Sequence, residues 1–98
     1  MSNNNIVVIS DKAADEIKKV VNWCGKIAID LKSLFIEELD YFFSRISNMP
    51  YAYKVVDKDV HRCLMKIFPY IIFFSINQNE IIVLRIRHKK QKQLKRYR

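Results

Sequence analysis

Basic side chains are the residues of this sequence best suited to chemistry, and most of them lie in its second half. Arg62 and Lys66 form one pair, Arg85 and Arg87 a second, and residues 89–98 continue as a basic run. The formal net charge is +8, and residues 85–98 include no Asp or Glu. A planar guanidinium can grip a phosphate or a carboxylate with two parallel hydrogen bonds. The pattern therefore predicts an acidic or polyanionic partner, the alternative being a solvated strand face and a solubilising tail.

His88 is the histidine that could serve as a general acid or base, because an unperturbed imidazole has a pKa of about 6.5. Proton transfer during phosphodiester cleavage would be one such use. Such cleavage also needs a positioned phosphate clamp, so a structural place at the end of a strand is the alternative for His88. His61 has the opposite strand parity to Arg62, and we predict that it is structural.

The sequence contains no motif for the other common kinds of catalytic or metal site. It has no glycine-rich phosphate loop, no serine or cysteine triad and no paired carboxylates, and the spacing of Cys24 and Cys63 fits no zinc site. We expect two free, buried thiols, no metal and no cofactor. The N-terminus does not resemble a signal peptide, and the longest apolar stretch, interrupted by Ser75, is far shorter than the ~20 residues of a membrane span. These features predict a cytoplasmic protein without membrane association.

Two helices are predicted to support the basic strands. A β-branched strand at Ile6–Ile9 precedes Ser10, a candidate N-cap, and apolar residues then recur at helical spacing. Gly25, the only glycine, is expected to cap the end of this helix. A second apolar stripe covers residues 31–46, and Pro50 is expected to end that helix. The short connection predicts an antiparallel helix hairpin.

A further apolar stripe on the second helix consists of Ile29, Ile36 and Phe43 at seven-residue spacing. Two stripes on one helix predict that it is covered on more than one side.

Strand periodicity begins after Tyr51. The predicted strands are residues 53–56, 60–66, 69–76 and 81–88, of which the last three should form an antiparallel meander with 69–76 in the centre. Alternation in the last strand assigns Ile82, Leu84 and Ile86 to one face and Val83, Arg85 and Arg87 to the other. If the registers agree, Arg62 and Lys66 face Arg85 and Arg87 across roughly 10 Å on the face opposite the helices.

The chain is predicted to be one α+β domain, with a short N-terminal strand and an antiparallel helix hairpin packed on an antiparallel β-sheet. Residues 1–88 form this domain. Residues 89–98 are expected to be a mobile basic tail, because they are too polar to fold alone.

This order of elements resembles the RelE/ParE toxin superfamily. Phe35, Leu39, Ile46 and Pro50 are similar to that family's spaced Phe, Leu, Ile and Pro pattern. Phe68-Pro69-Tyr70, followed by Ile-Ile-Phe-Phe, resembles the FPY strand of ParE-like plasmid-stabilisation proteins. The closing strand is similar at Ile81, Ile82, Val83, Ile86 and His88. The resemblance covers about residues 6–90 and implies the toxin of a type II toxin-antitoxin system.

The resemblance implies one of two activities. RelE-like members cut messenger RNA, usually on the ribosome, and here would use His88 with Arg62, Arg85 and Lys89. ParE-like members share the fold, and those characterised inhibit DNA gyrase. RelE-like nucleases commonly have an arginine after the aromatic residue that opens the central strand, whereas Ile71 follows Tyr70 here. The sequence therefore favours a ParE-like toxin that acts by binding, and a degenerate toxin that only binds its antitoxin or represses an operon stays open.

A cognate acidic antitoxin is the partner that the resemblance implies, with gyrase as target and the ribosome with messenger RNA as the alternative target. An antitoxin segment that orders on binding is expected to lie on the helix hairpin and to reach the sheet. The residues predicted to contact a partner are Arg62, Lys66, Arg85, Arg87, Lys89 and Lys90.

Overall fold

Strand β1 (Ile6–Ile9) leads directly into helix α1 (Asp11–Ile27) in a computed structural model that describes residues 5–98. Ser10 joins the two elements. Its hydroxyl accepts the N–H of Ala13 at 3.1 Å and donates to the carbonyl of Leu84 at 3.0 Å. The predicted N-cap is therefore confirmed, and the same side chain ties the start of α1 to the sheet.

Helix α2 (Ile29–Asn48) follows after a single residue, Ala28, whose extended backbone separates it from α1. The predicted cap at Gly25 is wrong. Its φ is not positive, and α1 continues beyond it to Ile27, because Ala28 supplies the break and donates its N–H to the carbonyl of Cys24 at 2.9 Å. Pro50 opens a short 3₁₀ turn after α2, as its missing N–H allows.

A five-stranded sheet has the order β1-β5-β4-β3-β2. The later strands are β2 (Val55–Asp57), β3 (Val60–Leu64), β4 (Tyr70–Asn77) and β5 (Glu80–His88). β1 pairs with β5 in parallel, and the other pairs are antiparallel, so the predicted meander with a central β4 is confirmed. β3 ends at Leu64 rather than at Lys66. Met65 donates its N–H to the carbonyl of Tyr70 at 3.0 Å, and the N–H groups of the next three residues, 66–68, donate to the carboxylate of Glu38 on α2.

The sheet has an apolar core on each face. The helices cover one face, where the largest enclosed side chains are Phe35, Ile46, Met65, Ile72, Phe74, Ile81 and Val83. The opposite face buries Val60, Phe73, Leu84 and Tyr97. Among the described residues, the end of the chain covers part of this second face, since Leu94 and Tyr97 pack there.

A β-bulge interrupts the pairing of β4 with β5. Phe73 pairs with Arg85 while Phe74 pairs with Val83, so Leu84 is the extra residue on β5. The predicted faces are correct for Ile86 and Arg87, after this point, and wrong before it. Ile86 packs in the helix-covered core as predicted, but Val83 lies there with it, and Leu84 lies in the opposite core.

Residues 89–98 fold back across the sheet, contrary to the expectation of a mobile tail. Tyr97 is buried, with its ring centroid 4.9 Å from that of Phe73, and Leu94 packs beside it. Arg98 donates to Asp59, in the β2–β3 turn, at 2.7 Å. These two apolar residues give a basic segment enough buried surface to dock. Within residues 5–98, no helix combines the length and the apolar character needed to cross a membrane.

Candidate functional site

The candidate site is a pocket between the sheet and the C-terminal tail. Arg62 on β3 and Arg87 on β5 flank β4, where Phe73 pairs with Arg62 and Ile71 pairs with Arg87. The pocket has a volume of about 290 Å³. It is lined by Val56, Arg62, Ile71, Phe73, Arg87, His88, Lys89, Gln91, Lys92, Gln93, Leu94 and Tyr97. Its lining thus includes four cationic side chains and no carboxylate, as the parity of Arg62 and Arg87 predicted.

Arg87 is a partly buried cation of this pocket. One of its terminal nitrogens, Nη2, donates to the carbonyl of Lys92 in the tail at 3.0 Å. Its Nε is buried and has no hydrogen-bond partner among the described residues. Within residues 5–98, neither Arg87 nor Arg62 forms an ion pair with a carboxylate. The pocket therefore has unused capacity to bind an anion.

His88 lies at the end of β5, where its ring Nδ1 and its backbone N–H both form hydrogen bonds with the residues that follow. Its ring Nδ1 accepts the backbone N–H of Lys90 at 3.0 Å, and the backbone N–H of His88 donates to the side-chain oxygen of Gln91 at 2.8 Å. The ring packs edge-on against Tyr70, with 5.2 Å between centroids. Since Nδ1 is an acceptor, the neutral ring carries its proton on Nε2 and has no free lone pair to act as a base.

Arg85 does not join the predicted basic face. Its Nε and Nη2 donate to the carboxylate of Glu16 on α1, the shortest distance being 2.7 Å, and Glu16 also accepts the N–H of Ile86 at 2.9 Å. β1 has ended at this point, so Glu16 satisfies the open edge of β5 in its place. The hydrogen bond with Glu16 raises the pKa of Arg85 above its ordinary value. The predicted position of Arg85 on the basic face with Arg62 is therefore wrong, because its side chain forms an ion pair with Glu16 on α1.

Lys66 is also displaced from its predicted position. Glu38 on α2 accepts the backbone N–H groups of Lys66, Ile67 and Phe68 at 3.0, 2.7 and 3.0 Å, which bends the chain after β3. The side chain of Lys66 consequently lines a groove on α2 instead of the face that holds Arg62.

The predicted partner-contacting residues therefore divide into groups. Arg62, Arg87 and Lys89 line the tail pocket, whereas Lys90 is exposed and outside it. Lys66 lies beside α2, and Arg85 is paired with Glu16.

Sequence reasoning missed Glu38 and the tail residues Leu94 and Tyr97. A signal for Glu38 exists, because it falls between Phe35 and Phe42 on the apolar stripe of α2, and a lone carboxylate there must find donors. Leu94 and Tyr97 are the two large apolar residues of a basic run, and their spacing places both against the same face of the sheet.

A second candidate surface is the groove along α2. It has a volume of about 360 Å³ and is lined by Leu34, Glu37, Glu38, Tyr41, Phe42, Lys66 and Ile67. Ile67 and Tyr41 are 69% and 52% exposed, respectively. Ile29 and Ile36, which the seven-residue stripe predicted to be covered, are exposed as well. The groove therefore presents apolar surface that residues 5–98 do not cover, and Ile29 and Ile36 add exposed apolar surface on the other flank of α2.

Comparison with known proteins identifies the family. The chain belongs to the family described as the ParE toxin of type II toxin-antitoxin systems, parDE, whose family model matches residues 7–93. A solved structure described as the chromosomal ParDE toxin-antitoxin system from P. aeruginosa is similar in fold, with a TM-score of 0.74 and 14% sequence identity over 89% of this chain and 98% of that chain. No curated protein matches. The predicted ParE-like family and α+β fold are thus confirmed.

Proposed function

We propose that this chain acts as a ParE-like toxin that inhibits DNA gyrase by non-covalent binding and is neutralised by a cognate acidic antitoxin. The observation that carries the proposal is the composition of the basic pocket, where Ile71 lies between Arg62 and Arg87. That position is where RelE-like nucleases commonly have an arginine. The proposal implies that the toxin works in the cytoplasm, where gyrase is found.

The geometry around His88 supports binding over cleavage. General acid–base catalysis of RNA cleavage needs a base aimed at the ribose 2′-OH and a clamp on the phosphate. Here Nδ1 of His88 already accepts the N–H of Lys90 at 3.0 Å. Tyr70, whose ring packs against that of His88, is partly buried, and burial raises the pKa of its hydroxyl above the ordinary value. A neutral, enclosed phenol is a poor base, so the site favours attraction of an anion over proton transfer.

The antitoxin is proposed to use both candidate surfaces. An amphipathic helix would place its apolar side in the α2 groove against Leu34, Tyr41 and Ile67, with an acidic residue near Lys66. An acidic extension would then reach the basic surface formed by the tail. Arg62, Arg87, Lys89 and Lys90 are the proposed contacts there, and exposed residues of the same tail are proposed to contact gyrase.

Binding to purified gyrase, measured by calorimetry beside a ribosome assay for messenger RNA cleavage, tests the proposal. We expect saturable binding of gyrase and intact messenger RNA. Replacing exposed Lys90 by Gln should weaken gyrase binding at low salt, whereas replacing Lys12, at the far start of α1, should leave it unchanged. Cleaved messenger RNA, lost when His88 is replaced by Gln, would instead establish the RelE-like endoribonuclease, for which the convergence of Arg62, Lys89 and His88 in one pocket is the supporting observation.

A further inference from the structure

The tail pocket contains a buried cationic donor without an acceptor. Nε of Arg87 is shielded from solvent and has no partner among the described residues, although Nη2 of the same guanidinium bonds to the tail. A buried donor that is left unpaired destabilises the folded protein, and more so when the group is charged. Buried donors in proteins are nearly always hydrogen-bonded, so an unpaired nitrogen on a guanidinium that lines a pocket points to a ligand at that pocket.

The chemistry of the lining defines that ligand as an oxyanion. Arg62, Arg87, Lys89 and Lys92 contribute positive charge, Gln91 and Gln93 add amide donors, and no Asp or Glu lines the pocket. A phosphate group has four oxygens in a tetrahedron and can therefore accept from several such donors at once, including the planar forks of two arginines. The pocket volume of about 290 Å³ is several times the ~30 Å³ that one water molecule occupies in the liquid.

The tail determines the size of the anion that fits. Leu94 and Tyr97 pack on the sheet beside the pocket, and Arg98 reaches Asp59 beyond it. The docked tail therefore crosses the face along which a long polynucleotide would have to lie. A compact phosphate group can enter without displacing it.

We propose that this pocket is a phosphate site, filled by inorganic phosphate or by the phosphate of a small nucleotide, and that the bound group fastens the tail to the sheet. The phosphate would join Arg62 on β3 and Arg87 on β5 to Lys89 and Lys92 in the tail. It would thereby keep residues 89–98 folded. The inference does not depend on the proposed function, because it needs neither gyrase nor an antitoxin.

A titration of the isotope-labelled full chain with sodium phosphate tests this site. Ionic strength is held constant with sodium chloride, and NMR follows Nε–H of Arg87 and the amides of residues 89–94. We expect saturable shifts confined to these groups and slower trypsin cleavage within the tail. Adenosine monophosphate at equal concentration separates the two sources. Tighter binding than phosphate would identify a nucleotide, and equal binding would identify free phosphate.

Matched variants make the test specific. Arg62→Gln removes one guanidinium, and Arg87→Lys keeps the positive charge but removes the paired N–H donors of the other guanidinium. Each variant should weaken phosphate binding by about tenfold or more, as expected for lost hydrogen bonds to a charged group. Arg96→Gln removes the same charge from an exposed tail residue outside the pocket and should leave binding within about twofold. Shifts that rise linearly without saturation, or an equal loss in Arg96→Gln, would overturn the proposal. If Arg87→Lys fails to fold, the phosphate affinity of Arg62→Gln alone tests whether phosphate binds in this pocket.

Discussion

Replacing Glu16 by Gln should destabilise the protein strongly, because one carboxylate closes the open edge of β5. Glu16 accepts three bonds from the Arg85 guanidinium, at 3.1, 3.1 and 2.7 Å, and a fourth from the N–H of Ile86 at 2.9 Å. The two side chains are only 16% and 20% exposed, so water replaces these contacts poorly. An amide at position 16 retains one acceptor oxygen and no charge, and the Arg85 guanidinium loses its counter-charge.

The magnitude follows from the burial of the pair. Breaking a fully buried pair costs about 3–5 kcal/mol, and an exposed pair contributes about 0.2–1 kcal/mol. A pair that is mostly but not fully enclosed lies between these limits, and we expect a loss of about 2–3 kcal/mol for Glu16→Gln. For a domain of this size, each kcal/mol lowers Tm by about 4–8 °C, so the expected decrease in Tm is about 10–20 °C.

Thermal and urea unfolding of Glu16→Gln, Arg85→Gln and the double variant measure this effect. The coupling energy from the cycle should be about 1–2 kcal/mol, since the two groups act as one unit. Asp15→Asn is the control, because it removes the same charge from an exposed neighbour on α1 and should change stability by less than about 0.5 kcal/mol. A Tm for Glu16→Gln equal to that of Asp15→Asn would refute the assignment of Arg85 to a structural ion pair.

Three further predictions concern stability and reactivity. Glu38→Gln should cost about 2–4 kcal/mol in urea unfolding, because one amide oxygen cannot serve the three backbone N–H groups that Glu38 binds, whereas exposed Glu37→Gln should be neutral. Gly25→Ala should raise the free energy of unfolding by about 0.5–1 kcal/mol, because Gly25 lies inside α1 and an added Cβ would meet only Cδ of Lys32 at 3.7 Å. Burial raises the pKa of Cys63 from 9.0 to about 11, so its thiol should resist a thiol reagent in the folded protein at pH 9 and react after unfolding. Because the folded pKa exceeds the unfolded value, the contribution of Cys63 to stability is complete below about pH 9 and declines as the pH rises toward 11.

Each of these outcomes has a clear contrary result. Equal urea midpoints for Glu38→Gln and Glu37→Gln would mean that the loop after β3 does not depend on the buried carboxylate. A destabilised Gly25→Ala would mean that the end of α1 requires glycine after all. Rapid modification of Cys63 in the folded protein would contradict its burial beneath the helices.

The elements of this fold could be predicted because each has an apolar period of its own. The β-branched run at Ile6–Ile9, the stripe through Phe35 and Ile46, and the two-sided apolar strand β4 each define an element without reference to the rest. Strand parity was also sufficient to bring Arg62 and Arg87 to one face, because strands joined by short connections pair in sequence order.

The positions of Arg85 and Lys66 could not be predicted from local pattern. A single extra residue, Leu84, makes the residues before and after it in β5 follow opposite parities, and nothing in the alternation marks a bulge. The partner of Arg85 lies 69 residues earlier in the chain. The bend that removes Lys66 from β3 depends on Glu38 in the same way, so both corrections come from long-range hydrogen bonds.

The docked tail is a further case of tertiary contact overriding composition. Residues 89–98 are too basic to fold alone, and only the exposed second face of the sheet makes the burial of Leu94 and Tyr97 favourable. This contact turns a predicted open basic face into a pocket with the tail as one wall.

Inhibition of gyrase by binding is the central proposal for this chain. The most direct measurement is the supercoiling of relaxed plasmid by purified gyrase as the full chain is added. We predict a saturable loss of supercoiling that is reversed when the chain is washed away at high salt, since a basic surface is screened by salt. Undiminished supercoiling at concentrations that arrest translation and cleave messenger RNA would contradict it.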